Sequence, residues 1–449
     1  MNLEMLRDVL ASGAVTDCEL DAGTHEVTRT LVIANDGVRL RGGGCGNATV
    51  LRRGRLEDGT LFSGPLLRIA GCRDVSVSGM AFDGRRFEGE GAQRIDHRHP
   101  LDPDPASARF PSGRVIEPPA CYETVNFVSS FEADIQLGDC NGVELHTLVL
   151  EDPIAIGIAI GPGSHHTCVL ETSIRRAGQF GLWMGAALAT RPVLPLTDDI
   201  AQRLPGNVRI EGCAIEDCGA AGASIEGRDI LVRRTVFCGN HRDFPFNDCG
   251  GQLVIDYKAD DVRIEGCTIR GEAFLRRMVA RHDAGTGGYA VTEQAFASVG
   301  IEASGSRLTF TDVVIEGMAR EAMHFDGAHD VLINGAATRL EGNHLAARRG
   351  EEPWSRGPRS GIAITTSSGQ LALGAKAGEF RIEGIRCEGG ILVWSDGSVP
   401  GLRVDGVHVA GSELHAGPEM SPGGLVVGVD ASGCSLQGEN WRLEGEAVI

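Results

Sequence analysis

Lysine occurs only twice in this 449-residue chain, at Lys258 and Lys376. The 42 basic residues are outweighed by 61 acidic ones, for a net charge of −19. A polyanion or an anionic membrane surface would meet like charge, so neither nucleic acid nor a membrane is an expected partner. No apolar run reaches the roughly 18 residues that a spanning helix needs. Aromatic residues make up only 5% of the chain, yet 42% of it is hydrophobic, which excludes a disordered polymer. The 13 cysteines are an odd number with no CxxC pair. That pattern argues against a short disulfide framework and for reduced, buried, small hydrophobes. The opening MNLEMLRDVLASG has early acidic residues and no apolar core, so no secretion signal is expected and a cytoplasmic location is.

Glycine is in excess, at 63 residues, but without the strict three-residue period of collagen. Instead one pattern recurs: DVSVSGMAF (74–82), GVELHTLVL (142–150), NVRIEGCAI (207–215), DILVRRTVF (229–237), DVRIEGCTI (261–269), DVLINGAAT (330–338), EFRIEGIRC (379–387) and GLRVDGVHV (401–409). Each copy is an alternating strand, a small turn and a second short strand. Cys213 and Cys267 hold the same phase, as stacked side chains would. A further apolar strand precedes the copies, in LLRIAG (66–71), ADIQLG (133–138), GIAIG (157–161), GLWMG (181–185) and GASIEG (222–227). The series runs on through QLVIDY (252–257), VGIEAS (299–304), AMHFDG (322–327), GIAITT (361–366) and ILVWSD (391–396). Three period-two strands per turn of about 22 residues describe a parallel β-helix. Helical repeats would need a 3.6-residue period, and a propeller would need longer antiparallel blades.

On these residues the chain resembles the right-handed parallel β-helix superfamily, which includes pectate lyases, polygalacturonases, alginate lyases and C5-epimerases. The resemblance runs from residue 24 to about 430. The expected fold is all-β, a single-domain solenoid of about 10–12 rungs. Residues 1–20 form the N-terminal cap, with MLRDVLAS (5–12) as a short capping helix, and 21–449 form the β-helix. In the resembled families the sheet made by the first strand of each rung carries the active groove. The paired-Asp, His-Gly and Arg-x-Lys signatures of polygalacturonases are missing, and so is the Asp-Pro-His-Asp type motif of alginate epimerases. No family's catalytic residues carry over.

Insertions concentrate on one border. Segments 84–130, 239–250, 271–297 and 342–359 fall between the last strand of one rung and the first of the next. Segment 191–206 falls on the opposite border. Long loops on one edge of a regular scaffold mark a cleft. Alternation then names its floor in two outward columns. One reads Arg68, Gln136, Ala159, Trp183, Ser224, Val254, Glu302, His324, Ala363, Leu392. The other reads Ala70, Gly138, Gly161, Gly185, Glu226, Asp256, Ser304, Asp326, Thr365, Trp394. Ionisable groups gather in four consecutive rungs.

Asp256 and Asp326, two rungs apart, would sit roughly 9–10 Å from each other, near the spacing of an inverting glycosidase pair. Crowded carboxylates raise one another's pKa and supply an acid beside a base. His324 beside Glu302 is a candidate oriented base. Lys258, with Tyr257, suits proton abstraction next to a uronate carboxylate, with Ca²⁺ held by Glu226, Asp256 and Asp326 as a possible cofactor. The plainer expectation is that Lys258 pairs with Asp260 or Asp261 at the turn. The catalytic candidates are thus Asp256, Asp326, His324, Glu302 and Lys258. The substrate-binding candidates are Glu226, Trp183, His241, Arg281, His282 and Trp354. His97 and His99 form a pair without a recognisable third metal ligand, so no metal site is assigned. His165 and His166 fall at a turn.

The leading expectation is a carbohydrate-active hydrolase, lyase or epimerase. The second is an intracellular isomerase or cyclase acting on a small, non-polymeric biosynthetic substrate. The third is a non-catalytic binding solenoid. The expected partner is a saccharide or another small molecule.

Overall fold

The computed structural model describes residues 1–13, 15–44, 48–86, 88, 114–116, 133–185, 198–240, 251–271, 276–283, 288–295, 299–318, 320–343, 361–365, 378–388 and 391–393, and strands at 405–410, 413–415, 425–427, 430–432, 435–437 and 442–444. Of the strands at 114–116, 276–283, 288–295 and beyond 405, only the backbone path is described. Three long parallel sheets, of 11, 13 and 13 strands, carry the fold. Successive strands of each rung pass to a different sheet, and each pairs with the strand one rung away. The chain is a parallel β-helix.

The first sheet contains all ten apolar strands picked out by alternation, with Leu31–Ile33 added at its start. Inward residues of these strands form the core: Ile225, Leu253, Ile301, Met323 and Phe325 are at most 1% exposed. Phe310, Phe325 and Phe380 stack edge to face through it, with centroids 5.6 and 5.2 Å apart. Nine cysteines fall among the described residues, and seven of them are buried. Cys213 and Cys267 lie in one internal column with Thr235 between them, as the ladder bonds Val236 N to Cys213 O and Thr268 N to Thr235 O require.

Among the described residues the first sheet has 11 strands, within the 10–12 rungs expected, and the two larger sheets have 13. Two further copies, beyond the eight recurrences in the sequence, also have no glycine at the turn: His165–Leu170 with Ser173–Arg175, and Ser306–Thr311 with Val314–Glu316. The turn between second and third sheets needs one left-handed residue. Glycine takes it at Gly79, Gly212, Gly266 and Gly384, but Thr147, Glu171, Arg234 and Asp312 do so as well, at φ 53°, 47°, 47° and 54°. Left-handed backbone costs an L-residue about 1–2 kcal/mol, and a β-branched side chain suits it least. Thr147 is exposed. Thr147→Gly should therefore stabilise the protein by about 1 kcal/mol, net of glycine's greater unfolded-state entropy. A thermal melt that moves down instead would refute this account of the turn.

The stack also begins earlier and ends in a different register than the repeats imply. Asp17–Leu20 is the first second-sheet strand, pairing with Arg39–Gly42. In the last copy the second-sheet strand is Asp405–Ala410, with Phe380 opposite Val407. The repeat GLRVDGVHV would have put it about five residues earlier. The third-sheet strand follows at Glu413, eight residues after Asp405, the spacing also seen from Arg228 to Val236 and from Asp260 to Thr268. Rung geometry sets that interval, so GVHVAGSELH carries the repeat.

At the N-terminus helix α1, Leu3–Ser12, buries Leu3, Leu6 and Leu10 against the first rung. It starts two residues before the expected point because the Asn2 side chain caps it by accepting from Met5 N. Gly13 closes it at φ 63°.

Segments 84–130, 239–250, 271–297 and 342–359 each fall between a third-sheet strand and the next first-sheet strand. Segment 191–206 joins the first sheet to the second and contains the short helix Asp198–Arg203. Two of the others meet. Arg276–Asp283 and Gly288–Ala295 form an antiparallel hairpin, and the latter strand pairs with Arg114–Ile116, with Tyr289 opposite Ile116. A three-stranded sheet thus ties insertion 84–130 to insertion 271–297. The same border is held from below by two buried asparagines. Asn240 accepts from Cys218 N at 3.0 Å and donates to Ile215 O at 2.8 Å. Asn343 repeats this with Met318 N and Ile315 O.

Candidate active site on the first sheet

Ladder register sets the floor of the site. Val32, Arg68, Gln136, Ala159, Trp183, Ser224, Val254, Glu302, His324, Ala363 and Leu392 are paired in that order along the first sheet. The second outward column runs beside it. The ladder bonds Asp256 N to Ile225 O and Ser304 N to Ile255 O keep Glu226, Asp256 and Ser304 in step, and Asp326 follows one rung on. The first column has the register of the sequence reading, and the second has it from Ala70 to Thr365; Trp394 lies outside the described residues.

This outward face is more sheltered than that of the second sheet. Val32 and Arg68 are exposed, but Ala159, Ser224 and Ala363 are 0%, 2% and 5% exposed, and Trp183, Val254, Glu302 and His324 are half-buried. On the second sheet the outward Glu144, Arg209, Arg263 and Arg381 are all exposed. The charged rungs therefore sit in a medium where electrostatic interactions are stronger than at an open surface. An apolar cluster of Ala133, Ala155, Ile156 and Ala159, with Phe180 and Trp183 packed on it, adjoins them on the N-terminal side.

Lys258 does not pair with Asp260 or Asp261. It turns back from the bend after Gly251–Ile255 and pairs with Glu226, both side chains about a tenth exposed. Its ammonium also lies over the Tyr257 ring, 4.8 Å from the centroid. Asp260 is engaged elsewhere, by Arg307 at 2.5 Å and Ser306 at 2.8 Å. Burial pulls the Lys258 pKa down, but the charge and hydrogen bond of Glu226 outweigh it and hold the pKa above the ordinary value. Gly185 makes room for the partner carboxylate. A Cβ there would stand 2.5 Å from Glu226 Oε2 and 2.7 Å from the Trp183 ring. The glycine in this column thus lets Glu226 lie against Trp183.

Two rungs further on, His324 Nδ1 lies 3.3 Å from Glu321 Oε1. Arg320 grips the same carboxylate at two points, Nη2 to Oε1 at 2.8 Å and Nε to Oε2 at 3.2 Å. His324 Nε2 is buried and has no hydrogen-bond partner among the described residues. Burial pushes the Glu302 carboxyl above the usual carboxylate range, with the charges of His324 and Arg320 opposing it. For His324 burial works against the charged form. The hydrogen bond and charge of Glu321, helped by Glu302, outweigh it and raise the imidazole above its ordinary value.

Of the candidates, Asp256, Glu302, His324, Asp326, Lys258, Glu226 and Trp183 thus share one face over consecutive rungs. Arg281 and His282 lie on a strand of the insertion hairpin. His241 and Trp354, with His97 and His99, lie outside the described residues. Among the described residues no group of three or more His, Cys, Asp or Glu side chains is arranged to hold a metal ion. The sequence reading missed Glu321 and Arg320. Their signal was local, a charged ArgGlu pair just ahead of the strand in AREAMHFDG.

A site of this kind, on the sheltered first sheet of a parallel β-helix, can be set beside known structures. No protein-family model and no curated protein sequence matches the chain. Solved structures do. One is the A-module of mannuronan C-5 epimerase AlgE4 from Azotobacter vinelandii, 12% identical, with a TM-score of 0.51 over 99% of this chain and 95% of that one. Another is PfbA, a surface adhesin of Streptococcus pneumoniae, 9% identical, with a TM-score of 0.50 over 98% of this chain and 89% of that one. At such identities the likeness is one of fold.

Proposed function

We propose that this protein is a carbohydrate-active enzyme that works by acid–base catalysis on the first sheet, with lyase or epimerase chemistry ahead of hydrolysis. The observation that carries the reading is His324. Its ring is held at Nδ1, its Nε2 is buried without a partner among the described residues, and its ladder neighbour is a carboxyl pushed toward the protonated form. A base of this kind takes a proton from a sugar carbon next to a carboxylate. The electron pair left behind either expels the glycosidic oxygen, giving an unsaturated sugar, or accepts a proton on the opposite face, giving the epimer. Glu302 and Tyr257 are the nearby proton donors, and Lys258 supplies positive charge. The saccharide class is supported by the polar, charged floor beside Trp183, and by a fold shared with the AlgE4 epimerase module. The hydrolytic route would instead use Asp256 and Asp326, which bracket Ser304 on the ladder.

A second reading has its own support. The floor is sheltered rather than open, as Ser224 and Ala159 show, and that suits a small substrate or the end of a short oligosaccharide. An isomerase or cyclase of a small molecule would fit the same base.

The test is incubation of the protein in D₂O with uronate-containing and neutral glycans, long and short. Deuterium uptake at the carbon next to the carboxylate, or an unsaturated product, is expected, and Asp256→Asn and Asp326→Asn should slow rather than abolish it. New reducing ends without either signal, lost in Asp256→Asn, would replace proton abstraction with hydrolysis. Glycan binding without any product would make the chain a binding solenoid. Turnover confined to short substrates would favour the second reading.

A further inference from the structure

We infer that Glu321, clamped by Arg320, is a positioning residue that fixes the ring of His324 and presents Nε2 to the substrate. The inference deepens the reading of His324 as the proton-transferring group and rests on it. Glu321 stands just before the strand Met323–Asp326, and its carboxylate meets the ring three residues on. A carboxylate accepts but cannot donate, so the neutral imidazole carries its proton on Nδ1 and its lone pair on Nε2. The two contacts from Arg320 hold that carboxylate in one orientation. A buried Nε2 with no partner among the described residues would be an unexplained cost in a purely structural histidine, and is accounted for if a substrate supplies the partner.

The charged groups that bear on the ring are Glu321 ahead of it, Glu302 on the neighbouring strand and Arg320; Asp326 acts in turn on Glu302. Glu321 and Glu302 favour the imidazolium, while Arg320 opposes it. The base form therefore accumulates only as pH rises through a raised value. Removing the Glu321 charge must make the base form appear at lower pH and leave it less well oriented.

The test follows the His324 ring by two-dimensional ¹H–¹⁵N correlation, its signals assigned by their loss in His324→Gln. In the wild-type protein the neutral ring should be the Nδ1–H tautomer. In Glu321→Gln the midpoint should fall toward the ordinary imidazole range and the Nε2–H tautomer should gain population. Arg320→Gln, which keeps the carboxylate, should shift the tautomer balance in the same sense by less. On a substrate found as above, Glu321→Gln should lower kcat about 10- to 100-fold with little change in KM, and move the rise of activity to lower pH. Glu321→Asp should restore part of the loss. An unchanged midpoint and tautomer in a folded Glu321→Gln protein overturns the inference; if that variant does not fold, an unchanged ring in Arg320→Gln does so. Full turnover by His324→Gln would instead overturn the proposed function and with it the catalytic part of this assignment. The ring titration would still decide whether Glu321 holds His324.

Discussion

His324→Gln is expected to lower kcat by about 10²- to 10⁴-fold, the contribution usual for a positioned general base, with KM changed far less. Glutamine keeps a polar group near Glu321 but has no lone pair of comparable basicity where Nε2 stands. The loss should not come from misfolding, because the strand Met323–Asp326 is anchored by its inward residues Met323 and Phe325, both fully buried, while His324 points outward. Glu302→Gln makes the complementary test. It removes the carboxyl that burial keeps toward its protonated form, and one of the charges that raise His324. Activity should then rise with pH from a lower starting point than in the wild type. A His324→Gln protein with wild-type turnover would move the chemistry to Asp256 and Asp326.

Most of this site was legible in sequence, for a reason specific to solenoids. With period-two strands stacked in register, assigning one inward residue assigns the whole rung. Ile225, Leu253, Ile301 and Phe325 are unambiguous core residues, so Glu226, Glu302, His324 and Asp326 had to share the opposite face. What escaped lies where the period breaks. Glu321 and Arg320 sit in the corner before a strand, and alternation says nothing about direction there. Lys258 sits in the corner after one. Its near-sequence acids, Asp260 and Asp261, are the obvious partners, but the turn folds the ammonium back across the sheet to Glu226. The antiparallel pairing of 276–283 with 288–295 had one readable signal, the glycine-bearing stretch AGTG (284–287) between two runs with apolar centres. Its pairing to 114–116 had none, because contacts between distant insertions leave no local pattern.

The largest stability effect is expected from a pair far from the site. Asp134→Ala should cost about 3–5 kcal/mol, the penalty for stranding a buried charge. Arg53 ends the strand Thr49–Arg53 pointing inward, and it and Asp134 are both fully buried, with Nη2 to Oδ1 at 2.9 Å. Arg53 also donates through Nη1 to Phe62 O at 2.6 Å and Gly64 O at 2.7 Å, so one guanidinium ties three segments at the corner between third and first sheets. Among the described residues Arg53 Nε and Asp134 Oδ2 have no hydrogen-bond partner. Burial pushes the Asp134 carboxyl up to about 7 although Arg53 pulls the other way. A folded-state value above the unfolded one means that this group's contribution is complete below the ordinary carboxylate range, and is lost as pH rises through about 7. Asp134→Asn, which resembles the protonated form, should therefore cost much less than Asp134→Ala and should flatten that part of the stability curve. Denaturant unfolding at pH 5 and at pH 8 separates the effects, because only the wild type should weaken between them on account of this group. Equal pH dependence in the wild type and Asp134→Asn would mean that the carboxyl stays ionised throughout, held as a true ion pair by Arg53.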